Sequence, residues 1–259
     1  MTRTIGSHPA ITELARAVRR REITSIELTG RVLRRIRDCN ATLNAFAIVD
    51  EAGAYRAAQR ADLELLVGMD RGPLHGMPVA VNEFIDVAGL PTTCGSATSF
   101  GGDGTEDAEV VTRLRHGGAV IVGKTTLREF AYGATGDGSL HGPPRNPQGP
   151  FRISGGGAVA VAAGIVPISL GTDTAGSVRV PAALCGAVGC TPTYGAIWRS
   201  GVYSPDPTVG HVGVFADSVE DALLGYQVLA DPPAGSLPSG TGPVLVGWPA
   251  TNSCSTTWP

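Results

Sequence analysis

Leu170-Gly-Thr-Asp-Thr-Ala-Gly-Ser-Val-Arg179 is the stretch on which the reading of this chain turns. It sets one hydroxyl, Ser177, in a run of small residues directly behind Ile165-Val-Pro-Ile-Ser-Leu170, an apolar segment that reads as a short buried strand. Ala175 and Gly176 let the backbone pass close to a ligand, and such a turn can aim several N–H groups at one oxygen. Ser177 is therefore the candidate nucleophile, with Asp173 and Arg179 placed to pair across the turn and hold it rigid. A plain Gly/Ser/Thr turn at a strand end has the same spelling, so the flanking segments must decide.

Upstream, Ala158 to Gly164 is almost all alanine and valine, a small-residue helix able to pack tightly. Before it, Gly133 to Gly157 is rich in glycine and proline, and long ordered loops of this kind tend to carry function. Thr126-Leu-Arg-Glu129 matches a capping box and predicts a short helix with Phe130 and Tyr132. Gly118-Ala-Val-Ile-Val-Gly-Lys-Thr125 satisfies the phosphate-loop pattern, but its middle residues, with Ala119 to Val122, spell a strand where that motif needs a loop. Nucleotide binding there is not expected. Acids at its start, an apolar centre and Gly117-Gly118 past its end predict a helix over Glu106 to His116.

Further back, Val79-Ala-Val81 reads as a buried strand, with Asn82-Glu83-Phe84-Ile85-Asp86 at its end, the usual place for active-site side chains in an α/β protein. Asn82 can hydrogen-bond but is no base near neutral pH. His75, wedged in Gly72-Pro-Leu-His-Gly-Met-Pro78, is read as bracing the backbone. Ile11, Leu14, Ala15 and Val18 give a first helix that ends in the basic run Arg16 to Arg21. Thr24-Ser-Ile-Glu27 caps a second, running to about Asp38 with Leu28, Val32, Leu33 and Ile36 inside. A third covers Glu51 to about Leu66. Downstream, Pro181 to Gly186 predicts a short buried helix, and Ser218-Val-Glu-Asp221 caps a last one with Ala222, Leu223, Tyr226 and Leu229 on its apolar side.

The whole chain sets limits on these readings. Its 259 residues, 42% hydrophobic and 17% charged, suit a globular chain with one large or two small domains. A net charge of −3 gives no basic face for nucleic acid, and no stretch reads as a membrane span. The five cysteines, Cys39, Cys94, Cys185, Cys190 and Cys254, are odd in number and lack CxxC spacing, which predicts free thiols in a reducing cytoplasm. The first residues carry no apolar run of the secretory kind.

Together, several segments resemble the amidase signature family: Gly72-Pro-Leu-His-Gly-Met-Pro-Val-Ala-Val81, Ile85-Asp-Val-Ala-Gly-Leu-Pro-Thr-Thr93, Gly123-Lys-Thr125, Glu129-Phe-Ala-Tyr-Gly-Ala-Thr135, and Gly171 to Arg179 with Pro181-Ala-Ala-Leu-Cys-Gly186. The resemblance runs from about Ile11 to about Ala230. It implies a single α/β domain with a twisted mixed sheet flanked by helices, hydrolysis of amides or release of ammonia from them, and no metal or organic cofactor. Such enzymes use a serine nucleophile, a second serine with a cis peptide bond, and a lysine.

On this resemblance Ser177 falls on the nucleophile, and the N–H groups of Thr174, Ala175, Gly176 and Ser177 fall on the oxyanion hole. The lysine position holds Asn82. Where the family has a serine-rich loop, Gly155-Gly156 runs straight into Gly157-Ala158, a deletion that removes the bridging serine and leaves Ser154 as the nearest substitute. Residues 1–231 thus read as the N-terminal part of one amidase-signature domain, C-terminally truncated, and 232–259 as an atypical tail, out of frame or cut short, in which Val244-Leu-Val246 could begin a strand. A shortened sheet exposes an apolar edge, which predicts a homodimer or a partner subunit covering it. Two functions follow: an amidase with impaired activity acting on a small amide through Ser177, or a non-catalytic pseudoenzyme or partner subunit.

Overall fold

The computed structural model describes residues 9–97, 104–133, 138–149, 153 and 155–230. Helix α1 (Ile11–Arg19) buries Ile11, Leu14, Ala15 and Val18, as their spacing requires. Helix α2 (Ser25–Leu43) opens with the expected capping box: Thr24 Oγ1 accepts from Glu27 N–H at 3.1 Å, and Glu27 Oε2 accepts from Thr24 N–H at 2.9 Å. It runs on to Leu43 rather than ending near Asp38, because Cys39 to Leu43 include no breaker and Asn44, at φ 51°, supplies the left-handed stop. Strand β1 (Phe46–Val49) and helix α3 (Glu51–Leu66), capped by Asp50, follow.

Strand β2 (Pro78–Asn82) leads to helix α4 (Glu109–His116). The helix starts later than the expected Glu106, since Ala108 N–H donates to the Asp86 carbonyl and Asp107 Oδ1 accepts from Ala88 N–H, tying this stretch to a loop. Strand β3 (Val120–Thr125) takes in Gly123, Lys124 and Thr125, so the phosphate-loop pattern lies on a buried strand. The capping box expected at Thr126 does not form. The chain stays extended there, with Thr126 N–H donating to the Ala45 carbonyl, and only a 3₁₀ turn over Glu129–Ala131 follows, broken by positive φ at Phe130 and Ala131.

Helix α5 (Gly156–Ala162) is wholly buried, and Ile165 and Val166 N–H close on the Ala160 carbonyl at its end. Strand β4 therefore starts at Ile168, later than Ile165, and extends through Asp173. Helix α6 (Arg179–Cys185), strands β5 (Val188–Cys190) and β6 (His211–Ala216), and helix α7 (Val219–Leu229) complete the described chain.

The strands form one mixed sheet in the order β1-β3-β2-β4-β6-β5. The central strands β3, β2 and β4 run parallel, while β1 and β6 pair antiparallel with them. Successive residues of β2 serve opposite faces: Val79 and Val81 join a core with α1, α4 and α7, whereas Ala80 joins one with α2, α5 and α6. The two ends of the described chain meet where Ile11 N–H donates to Asp221 Oδ1 at 2.9 Å. This is the α/β architecture expected of the chain.

Candidate active site

Strands β2 and β4 are parallel neighbours, with Val79 beside Ile168 and Ala80 beside Ser169, so Asn82 and the turn after Asp173 emerge at the same edge of the sheet. The carboxyl ends of parallel strands are where α/β folds place their chemistry. Asp173 organises the turn. Its Oδ1 accepts from Gly176 N–H at 2.6 Å and Arg179 Nη2 at 3.1 Å, and its Oδ2 from Arg179 Nε at 3.0 Å, Thr191 Oγ1 at 2.9 Å and Val178 N–H at 3.2 Å. Burial alone would raise the Asp173 carboxyl, but these donors, Arg179 first, outweigh it and hold the group well below the usual carboxylate range. The ionised aspartate thus clamps the loop into one shape.

Gly176 takes φ +105°, a conformation costly for any residue with a side chain. Its N–H is held inside the turn by Asp173, while among the described residues the N–H groups of Ala175 and Ser177 make no hydrogen bond. Ser177 is half-buried at the wall of a cavity of about 190 Å³, lined also by Ala131, Gly133, Ala175, Gly176, Val180 and Pro181. No titratable side chain is among these wall residues. The chain entering α5 reaches the same wall, since a Cβ on Gly155 would meet Pro181 at 2.6 Å.

Asn82 Oδ1 accepts from Phe84 N–H at 2.9 Å, a local turn that satisfies its carbonyl. Lys124 does not stand in for a lysine at this position. The register sets Lys124 beside Val81 and Thr125 beside Asn82, which places Lys124 on the opposite face of the sheet. There its Nζ donates to the Pro91 carbonyl at 2.9 Å and Thr92 Oγ1 at 2.8 Å, and the Thr92 hydroxyl in turn donates a hydrogen bond to Asp86 Oδ1 at 2.6 Å. Burial lowers the Lys124 ammonium to about 8, against the opposing pull of Asp86 and Glu83.

Next to Asn82, the fully buried Glu83 accepts from the Thr93 hydroxyl, and its Oε1 lies 3.5 Å from His141 Nε2. His75 braces a turn as expected, its Nδ1 accepting from Arg71 N–H at 2.9 Å. Ser154 and the tail from 231 onward, with Val244 to Val246 and Cys254, lie outside the described residues. Thr191, missed from the sequence, joins the clamp from beyond β5 with no local motif to announce it. Cys39, Cys94, Cys185 and Cys190 are free thiols. Among the described residues no group of His, Cys, Asp and Glu stands close enough to hold a metal ion, and no helix is long and apolar enough to cross a membrane.

Both the sequence and this fold are shared with known proteins. The amidase family profile matches residues 27–239. A glutamyl-tRNA(Gln) amidotransferase subunit from Acidothermus cellulolyticus is 42% identical over 222 residues, covering 84% of this chain and 44% of that one. The corresponding amidotransferase subunit from Aromatoleum aromaticum is 44% identical over 216 residues, covering 82% of this chain and 44% of its own length. Among solved structures, the native peptide amidase of Stenotrophomonas maltophilia superposes with a TM-score of 0.80 at 33% identity, over 90% of this chain and 51% of that one. A complex related to the origins of an s-triazine catabolic enzyme gives 0.81 at 35% identity, over 86% and 50%.

These matches define the class: an α/β domain of the amidase-signature kind. The chain belongs to the amidase family, and it spans about half the length of the relatives it matches.

Proposed function

We propose that this chain carries the nucleophile side of an amidase site and acts on carbon–nitrogen amide bonds through a Ser177 acyl-enzyme, with impaired turnover. The observation that carries this reading is the Asp173-clamped turn, which sets Ser177 on a cavity wall beside its own N–H and that of Ala175, neither of which is hydrogen-bonded among the described residues. In the reaction Ser177 Oγ attacks the amide carbon, and its proton passes to an acceptor. The carbonyl oxygen takes up the charge facing these N–H donors, with Thr174 as a flanking member of the hole, while Gly176 N–H, already held by Asp173, shapes the turn instead of donating to the oxyanion. The amine then leaves with a proton, and water hydrolyses the ester.

The weak step is the proton transfer. Asn82 stands at the family's lysine position and is no base, so Ser177 attacks without the assistance of a lysine relay. By analogy with removing members of other catalytic triads, turnover falls by on the order of 10⁴ to 10⁶, and the donors leave a residue of rate. Ser154 is the candidate bridging serine. The proposed setting is the cytoplasm, with a partner subunit or second copy covering what the chain itself does not span.

A non-catalytic role is the second reading, favoured by the Asn82 carbonyl being occupied by Phe84 N–H and by the absence of a titratable side chain among the described residues of the cavity wall. Intact mass after treatment with a serine-directed fluorophosphonate, beside Ser177→Ala, separates the two. One adduct that disappears in the variant supports the acyl-enzyme reading. A folded chain that takes no adduct supports the non-catalytic one.

A further inference from the structure

We propose that a groove along α3, separate from the Ser177 cavity, binds a small molecule through a phosphate group. Two adjoining hollows make the groove, of about 430 Å³ and 140 Å³, and both are lined by Ala57, Arg60 and Arg115. Neither shares a wall residue with the Ser177 cavity. Their walls include Arg56, Arg60, Arg71 and Arg115, with His116, beside two carboxylate residues, Asp50 and Glu64.

Both carboxylates are already engaged. Glu64 takes Arg71 Nε and Nη2 at 2.6 and 2.7 Å, and Asp50 caps α3 by accepting from Gly53 N–H at 2.8 Å. Outside the groove wall, Asp107 holds Arg115 at 2.8 Å. Arg56 and Arg60 remain. Among the described residues neither has a hydrogen bond or an ion pair; Arg60 feels the charge of Glu64 one turn on, but that carboxylate is bound by Arg71, and Arg56 and Arg60 sit four positions apart, where like charges repel.

Both side chains are exposed, yet they stand on concave walls: Arg60 on both hollows, with Ala57, Ala61 and Ala119 in the larger, and Arg56 on the smaller. Concave walls of low dielectric focus the field of the charges they carry. The positive groove also stands against the chain's overall charge of −3, so it is a local feature and not a by-product of general basicity. Planar guanidinium forks match phosphate oxygens in pairs, and a dianion between Arg56 and Arg60 would relieve their repulsion. The phosphate would occupy the smaller hollow, the one Arg56 and Arg60 both line, and the rest of the ligand the adjoining larger one, which has the volume of a small-molecule site.

The test is calorimetric titration of the full chain at low ionic strength with inorganic phosphate, with adenosine monophosphate and with a short oligouridylate. Wild type, Ser177→Ala and the double variant Arg56→Ala/Arg60→Ala are compared. Both arginines are exposed on a helix and alanine is the best helix former, so the double variant should fold, as circular dichroism will check. The expected result is one site per chain for a phosphate probe, unchanged in Ser177→Ala and weakened on the order of tenfold or more in the double variant. Equal affinity for phosphate and the mononucleotide identifies the free anion as ligand, and tighter mononucleotide binding identifies a phosphoester. Silence with both small probes overturns the proposal, as does binding that survives in a folded double variant. Binding of the oligomer alone also overturns it, in favour of a nucleic-acid track.

Discussion

Arg179 grips Asp173 with both Nε and Nη2, at 3.0 and 3.1 Å, although 58% of the arginine side chain is exposed and only 1% of the aspartate side chain is. The buried partner therefore carries the greater energetic consequence. Asp173→Asn removes a charge that five donors converge on, and should cost about 3 kcal/mol. In the folded chain Asp173 ionises well below its ordinary value, so its contribution is present above about pH 4 and is lost as pH falls through and below that point. Urea melts of wild type and variant should differ most near neutrality and converge in acid. A stability gap that stays constant down to the acid limit would remove Asp173 from this role.

Gly176→Ala probes the same turn from the backbone. At φ +105° an added Cβ strains the loop and meets Val180 Cγ2 at 3.1 Å. A loss of about 1 to 3 kcal/mol is expected, together with loss of any fluorophosphonate labelling at Ser177. Gly68→Ala serves as the comparison, since it too has positive φ but nothing within 4 Å. It should cost about 1 kcal/mol and leave labelling intact.

Lys124 gives a signal of opposite direction in pH. Its folded value of about 8 lies below the ordinary 10.5, so between these values the unfolded chain binds more protons and the folded state gains stability as pH rises. Wild type should gain relative to Lys124→Met across that window, on the order of 3 kcal/mol in all. Parallel stability curves for the two proteins would show that the ammonium is not desolvated as described.

Asn82→Lys alone should not raise amide hydrolysis above background in an ammonia-release assay. The new amine would gain no bridging serine, and the substitution removes the oxygen that caps Phe84 N–H, at about 1 kcal/mol. Turnover restored by this single change would mean that a bridging hydroxyl is already in place.

Much of the fold was legible because its signals are local. Thr24 and Ser218 announce their helices through side chains that bond the backbone three residues on, and the apolar spacing of Ile11, Leu14, Ala15 and Val18 fixes the buried face of α1. Strands β1, β5 and β6 escaped notice: two of them are only three or four residues long, and β6 is defined by its partners rather than by alternation. Thr126 misled for a related reason. Its sequence spells a cap, but the Ala45 carbonyl and Gly156 N–H claim its backbone for the sheet edge, and tertiary pairing outweighs a local preference. At the site, the Asp173–Arg179 pair could be read across a short turn, whereas Thr191 joins the same carboxylate from a separate strand connection.

The hydrogen bond from Ile11 N–H to Asp221 Oδ1 joins residues 210 positions apart. During synthesis α1 emerges well before α7, so its core around β2 and α4 can begin to gather early but the Asp221 bond and the α7 side of that core come last, and β2 likewise waits for β4 before the centre of the sheet can close. At about 5 to 20 residues per second, that leaves the shared core of α1, β2 and α4 incompletely covered for on the order of ten seconds or more. The nascent chain is thus a natural client for chaperones, and its yield in a cell should depend on their supply more steeply than its final stability would suggest.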